Sequence, residues 1–299
     1  MEARYRSVRQ RIASAAARSG RREQDIVLVA VTKNAEPDQI RHLINLGHRD
    51  FGENYVQNLV PRAAMIEEFL GRGKVLPNAR KESDLQASVL GLPSRTGAGA
   101  AGVASRRGGP GPGEDRVRWH LIGHVQRNKV KKALEFARLI HTVDSLRLAE
   151  EIQSAASRRE EPVDVLVQVN CSGETQKFGC PPPAALHLCE QIDTMVSVRV
   201  RGLMTMAAYS DDPETARPAF ARLRELFEDI KRTGVGDGRF NILSMGMSGD
   251  FEVAIEEGAN VVRVGSAIFG ERASASTDDS AADSVPESVA ESDAPVNDR

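Results

Sequence analysis

Apolar and polar positions fall into two alternating patterns along the chain. Residues 26–33, Ile-Val-Leu-Val-Ala-Val-Thr-Lys, form a β-branched run suited to a strand buried on both faces. An amphipathic stretch from Glu2 to Arg18 precedes it at helical spacing. Next comes a predicted helix over 37–46, ended by Gly47, and a short strand over 50–54. The alternation then repeats: helix 56–69, strand 118–124, helix 129–137, strand 139–144, helix 146–158, strand 163–170, helix 184–195, strand 198–206 and helix 214–232. Two strands remain, 241–246 and 261–265, separated by a helix over 251–257.

That makes eight strands, each except the last followed by a helix, a pattern that implies parallel pairing through right-handed crossovers. Eight such units predict an α/β fold, a closed (β/α)8 TIM barrel with an extra N-terminal helix. The competing architecture, an open doubly wound sheet, carries a Gly-rich turn directly after a strand. Here that turn reads Thr32-Lys33-Asn34-Ala35-Glu36-Pro37, without G-x-G-x-x-G.

Composition marks two segments as unlike the rest. From Gly71 to Asp115 the chain accumulates Gly, Arg, Ser, Pro and Ala, with too few large apolar residues to offset ordering entropy. It reads as a flexible insertion, 71–116, within one domain spanning 1–272. Beyond Arg272 a Ser/Ala/Asp/Glu stretch, 273–299, reads as a disordered acidic tail. The 40 Lys+Arg and 42 Asp+Glu leave a formal charge of −2, but the tail holds seven acids and one base while 72–118 holds nine bases and four acids. Near-neutrality is therefore partly a cancellation between appendages. No apolar run approaches the about 20 residues of a membrane span, and Met1-Glu-Ala-Arg-Tyr-Arg is not a signal peptide, so the expected compartment is the cytoplasm. Cys171, Cys180 and Cys189 lie nine residues apart, unlike a disulfide framework or a CxxC metal knuckle, and read as reduced thiols.

Barrel enzymes place their chemistry at the C-terminal strand ends and often hold phosphate in the loops after strands seven and eight. At the end of strand one, Lys33 continues the series Val27, Val29, Val31, which directs it toward the barrel interior and predicts partial desolvation. Desolvation lowers an amine's pKa, and a neutral amine can form a Schiff base with a carbonyl. Alone, the residue reads as a lysine lying in water, because buried lysines are uncommon. The loops Ser244-Met-Gly-Met-Ser248-Gly-Asp and Arg263-Val-Gly265-Ser266-Ala-Ile-Phe-Gly270 alter that reading. They offer small residues, hydroxyls and free backbone N–H groups, as phosphate binding requires, although glycines also serve tight turns. Barrel closure sets strand eight beside strand one, so a reactive amine and a phosphate cradle together describe an aldehyde bearing a phosphate, pyridoxal 5'-phosphate.

At these residues the chain resembles the pyridoxal phosphate homeostasis protein family. Ala30-Val-Thr-Lys33, Phe51-Gly-Glu-Asn54-Tyr-Val-Gln, Trp119-His-Leu-Ile-Gly-His-Val-Gln-Arg-Asn-Lys129, Arg201-Gly-Leu-Met204, Ser244-Met-Gly-Met-Ser248 and Val262-Arg-Val-Gly-Ser266-Ala-Ile-Phe-Gly carry the resemblance in order along the chain. It implies a fold-type-III barrel like the barrel half of alanine racemases, with Lys33 holding the cofactor as an internal aldimine. It further implies that Ser248, Gly265 and Ser266 bind the phosphate, that Arg263 faces the pyridine nitrogen, and that Asn54 and Met204 line the cofactor. The insertion and tail depart from the family's compact form.

A two-base racemase needs a proton acceptor on each face of the cofactor, one of which alanine racemases take from a second domain that has no counterpart expected here. Arginine at the pyridine nitrogen also disfavours its protonation and weakens the electron sink. The expected role is therefore to hold pyridoxal phosphate and deliver it to apoenzymes, without catalysis. A small fold-type-III racemase or lyase is the alternative. Other features suggest less. His120 and His124 fall on one predicted strand face but lack a carboxylate or cysteine at ligand spacing, so core or site-lining imidazoles are expected rather than a metal. Lys129, Lys131 and Lys132 read as a solvated helix face. The Arg-Gly-Gly stretch at Arg107 reads as linker, and RNA binding through it is the third hypothesis.

Overall fold

The computed structural model describes residues 1–72, 116–174 and 176–270. Most of the predicted insertion and all of the acidic tail thus lie outside the described residues. Eight parallel strands close into a barrel in sequence order: β1 (Val27–Val31), β2 (Asp50–Glu53), β3 (Arg118–Leu121), β4 (Ala137–Val143), β5 (Val163–Gln168), β6 (Val198–Met204), β7 (Ile242–Ser244) and β8 (Val261–Val264). The seam is β1 against β8, with Val27 opposite Val261 and Val29 opposite Arg263. Around it, among the described residues, run α1 (Glu2–Arg18), α2 (Pro37–Asn45), α3 (Val56–Arg72), α4 (Val130–Phe136), α5 (Leu146–Ala156), α6 (Ala185–Asp193), α7 (Arg217–Arg232), α8 (Phe251–Glu256) and α9 (Ser266–Phe269). The predicted barrel and its extra N-terminal helix are present. No described helix is long and apolar enough to cross a membrane.

Two differences matter for function. Several strands stop short of their predicted ends, β1 at Val31 and β3 at Leu121, because the chain leaves the ladder to build loops. The last strand, expected to lack a helix, is followed by the single turn α9, whose carbonyls at Ile268 and Phe269 accept from the Arg4 guanidinium of α1. Gly71 and Arg72, read as the start of the insertion, belong to α3.

Strand alternation divides the core into two shells. Leu28, Ala30, Phe51, Trp119, Leu121, Val262 and Val264 face the helices, joined by Tyr5, Val8, Ile12, Ala15 and Ala16 from the inner stripe of α1. Val27, Val29, Leu139, Leu166, Met204, Ile242 and Val261 fill the barrel. The same alternation turns Asp50, His120, Ser244 and Arg263 inward, and His141 reaches His120 and Ser244 from β4. The interior is therefore part hydrocarbon and part a buried polar column.

Met204 reaches the interior through a bulge. Val165 pairs with Val200 but Leu166 pairs with Gly202, so Arg201 is an extra residue that reverses the facing of everything after it. Val200 packs outward and Met204 inward although their spacing is even. Arg201 is held by Asp164, the Arg239 carbonyl and Asn241 at 3.2, 2.9 and 3.1 Å.

Candidate functional site

The loops after β7 and β8 meet on one hydroxyl. Beyond Ser244 the chain bends at Gly246, whose φ of +93° and whose missing Cβ, which would lie 2.6 Å from the Ala254 Cβ, admit only glycine. The bend presents Ser248, whose Oγ accepts the backbone N–H groups of Gly265 at 3.2 Å and Ala267 at 3.3 Å. Ser248, Gly265 and Ser266 are thus brought together, all half-buried, with N–H donors converging on an oxygen. A Cβ on Gly265 would stand 3.2 Å from the Val31 carbonyl and 3.3 Å from its Cβ, so the strand-eight turn lies directly against the end of β1. Small residues, convergent N–H donors and a hydroxyl fit a phosphate ester.

Lys33 sits two residues beyond that contact. Its support is firm: the Thr32 N–H donates to the Gly52 carbonyl at 2.9 Å, and the Thr32 hydroxyl donates to the buried Glu53 carboxylate. Arg62 of α3 donates to Glu53 at 2.6 Å and to the Thr32 carbonyl. Burial pushes the Glu53 carboxyl up despite these partners. The expected desolvation of Lys33 is corrected, because β1 ends at Val31 and the following turn leaves the lysine exposed. The alternation that aims Val29 inward does not extend beyond the ladder. Lys33 therefore lies exposed in the turn that follows β1, the strand end against which Gly265 packs.

Arg263 occupies the interior below. It is buried, and its guanidinium donates to Ser244 Oγ at 2.7 Å and to the Thr205 carbonyl at 2.8 Å. Burial lowers its pKa to about 10, opposed only in part by Asp250, so it remains a cation at neutral pH. Met204, fully buried in the interior cluster, and half-buried Asn54, at the end of β2, complete the predicted set. Asn54 is fixed by close packing, since a Cβ on Gly123 would collide with its carbonyl.

Beneath Arg263 lies an arrangement that sequence reasoning only partly anticipated. Ser244 Oγ is 3.0 Å from His141 Nδ1, His141 Nε2 is 2.9 Å from His120 Nδ1, and His120 Nε2 is 3.1 Å from Asp50 Oδ1. Asp50 also receives a fork from Arg118 at 2.7 and 2.6 Å. Burial raises the Asp50 carboxyl, but Arg118 and His120 outweigh it and hold it far below the usual range. His141 is pushed well below its ordinary value by burial, then by His120 and Arg263. Polar residues at inward positions of otherwise apolar strands were the available signal; their connection across strands was not. His120 is core, as expected, but His124 does not share its face. β3 ends at Leu121, and His124 stacks in the open on Phe178 at 4.5 Å. Lys129, Lys131 and Lys132 are exposed, and the three cysteines are free and buried.

The family model for the alanine racemase N-terminal domain matches residues 6–273. The pyridoxal phosphate homeostasis protein of Aquifex aeolicus is 37% identical over 269 residues, 89% of this chain and 95% of its own. The protein of that name from Homo sapiens is 32% identical over 276 residues, covering 89% and 85%. Among solved structures, PipY of Synechococcus elongatus, determined with PLP bound, superposes with a TM-score of 0.61 at 28% identity, over 88% of this chain and all of that one.

Proposed function

The chain belongs to the pyridoxal phosphate homeostasis protein family, and on that premise we propose that it binds pyridoxal 5'-phosphate and acts in intracellular homeostasis of this cofactor. The observation that carries the proposal is the contact of Gly265 with Val31. It sets the N–H donors and hydroxyl of the phosphate cradle beside the loop that carries Lys33. When bound, the cofactor supplies an aldehyde that a lysine amine can capture reversibly. Lys33 provides that amine, Ser248, Gly265 and Ser266 hold the phosphate, Arg263 offers a cation toward the pyridine nitrogen, and Asn54 and Met204 shape the walls.

A carrier is the better reading than an enzyme. A permanent cation at the ring nitrogen works against the protonated ring that carbanion chemistry uses. An exposed lysine suits release of the cofactor to recipient apoenzymes. Free, buried thiols suit the reducing cytoplasm.

Protein loaded with pyridoxal phosphate is expected to show a visible absorbance band that Lys33→Ala abolishes. Identical spectra for the two would end the proposal. Incubation with amino acids in deuterium oxide checks the carrier assignment, with negligible exchange of the α-proton expected. Rapid exchange at catalytic amounts of protein would instead establish a racemase or lyase.

A further inference from the structure

The buried column beneath Arg263 has only one arrangement of hydrogens that satisfies every contact with neutral imidazoles. Its two ends are fixed by chemistry. A guanidinium can only donate, so Arg263 gives a hydrogen to Ser244 Oγ. An ionised carboxylate can only accept, so Asp50 takes one from His120 Nε2. With that nitrogen protonated, neutral His120 has a bare Nδ1 and must accept from His141 Nε2 at 2.9 Å. His141 then has a bare Nδ1, which accepts the Ser244 hydroxyl at 3.0 Å. Every hydrogen therefore points the same way, from Arg263 through Ser244, His141 and His120 to Asp50.

The surroundings of His141 oppose an added proton on it. The charged groups facing the pair are Asp50 on β2, Arg118 on β3 and Arg263 on β8, with Asp250 acting on Arg263 from the loop after β7. A proton on His141 would set a second cation next to Arg263. A proton placed on His120 Nδ1 would reverse the His141 tautomer and turn the Ser244 hydroxyl away from it.

We propose that His120 and His141 are positioning residues, a neutral hydrogen-bond relay anchored on Asp50 that fixes the Ser244 hydroxyl and through it the guanidinium of Arg263 at the cofactor site. The inference rests on the cofactor reading above for its role and on the chain's own hydrogen bonds for its existence, so the two can fail separately.

The existence of the relay is tested on the unmutated full chain by nitrogen-15 NMR of the imidazoles, assigned with His120→Asn and His141→Asn. Both rings should show the Nε2–H tautomer at pH 8. An Nδ1–H tautomer or a doubly protonated ring at either position at that pH overturns the proposal. Its role is tested by the visible band of protein loaded with pyridoxal phosphate. Ser244→Ala and His141→Phe should keep the band but move the midpoint of its pH titration by about one unit or more. His141→Gln, which retains an N–H donor and an oxygen acceptor, should restore much of the wild-type profile. Unchanged profiles in Ser244→Ala and His141→Phe would overturn the positioning role. Absence of any band in wild type would refute the cofactor reading while the NMR result still decides the relay.

Discussion

Arg263 and Lys33 illustrate what single residues disclose. Both stand out in the sequence as candidates, one from its place on the last strand and the other at the end of the first. Their environments do not, because exposure depends on where a strand leaves the ladder. Arg263 is enclosed and held by two acceptors, whereas Lys33 is in solvent because β1 ends two residues earlier. Ser248 was legible as a loop hydroxyl, but its role as the shared acceptor of two N–H groups required the loops to be seen together. Ser248→Ala removes that acceptor from a half-buried site. It should cost about 1 kcal/mol in urea unfolding and weaken pyridoxal phosphate binding about tenfold, measured by equilibrium titration of the visible band. Asp50 anchors the polar column, and Asp50→Asn leaves Arg118 and His120 facing a neutral amide. A loss of about 3–5 kcal/mol at pH 7 is expected. The sign of its pH dependence follows from a carboxyl whose folded pKa is depressed: the stabilisation is complete above the unfolded value near 4 and is lost as pH falls further. The gap between wild type and Asp50→Asn in urea unfolding should be constant from pH 7 to about pH 5 and shrink below about pH 4.

The order and type of most elements followed from the sequence because strands such as β1, β5 and β8 carry β-branched runs and the longer helices an apolar stripe. Bulges and strand ends did not, because they are set by neighbouring strands rather than by local pattern. β6 is the clearest case. Even spacing would group Met204 with Val198 and Val200 on the outer face, and only the extra residue Arg201 turns it inward. The bulge depends on Gly202, with φ of +153° and an ideal Cβ only 1.8 Å from the Ile242 carbonyl. Gly202→Ala should destabilise the protein by more than about 3 kcal/mol in urea unfolding, or prevent recovery of folded protein. A loss below about 1 kcal/mol would show that β6 and β7 can separate without cost. The histidine pair shows the same limit. His120 was recognised as core or site lining, but nothing local links it to His141, 21 positions further along the chain and one strand over.

At the scale of the molecule, closure of the barrel does what no segment does alone. It joins β1 to β8 and so sets the strand end that leads into Lys33 against Gly265 of the proposed phosphate cradle, more than two hundred residues later in the chain. Eight alternating units made closure predictable, and closure is what brings the candidate residues of the first and last strands together. The internal column was not predictable, because it crosses the barrel between strands that are remote in sequence. The central claim is that this seam captures pyridoxal phosphate at Lys33. Borohydride reduction of the loaded protein, followed by peptide mass mapping, tests it most directly. One phosphopyridoxyl group per chain, on the peptide containing Lys33, is the expected result; labelling of another lysine, or none above that of denatured protein, would contradict it.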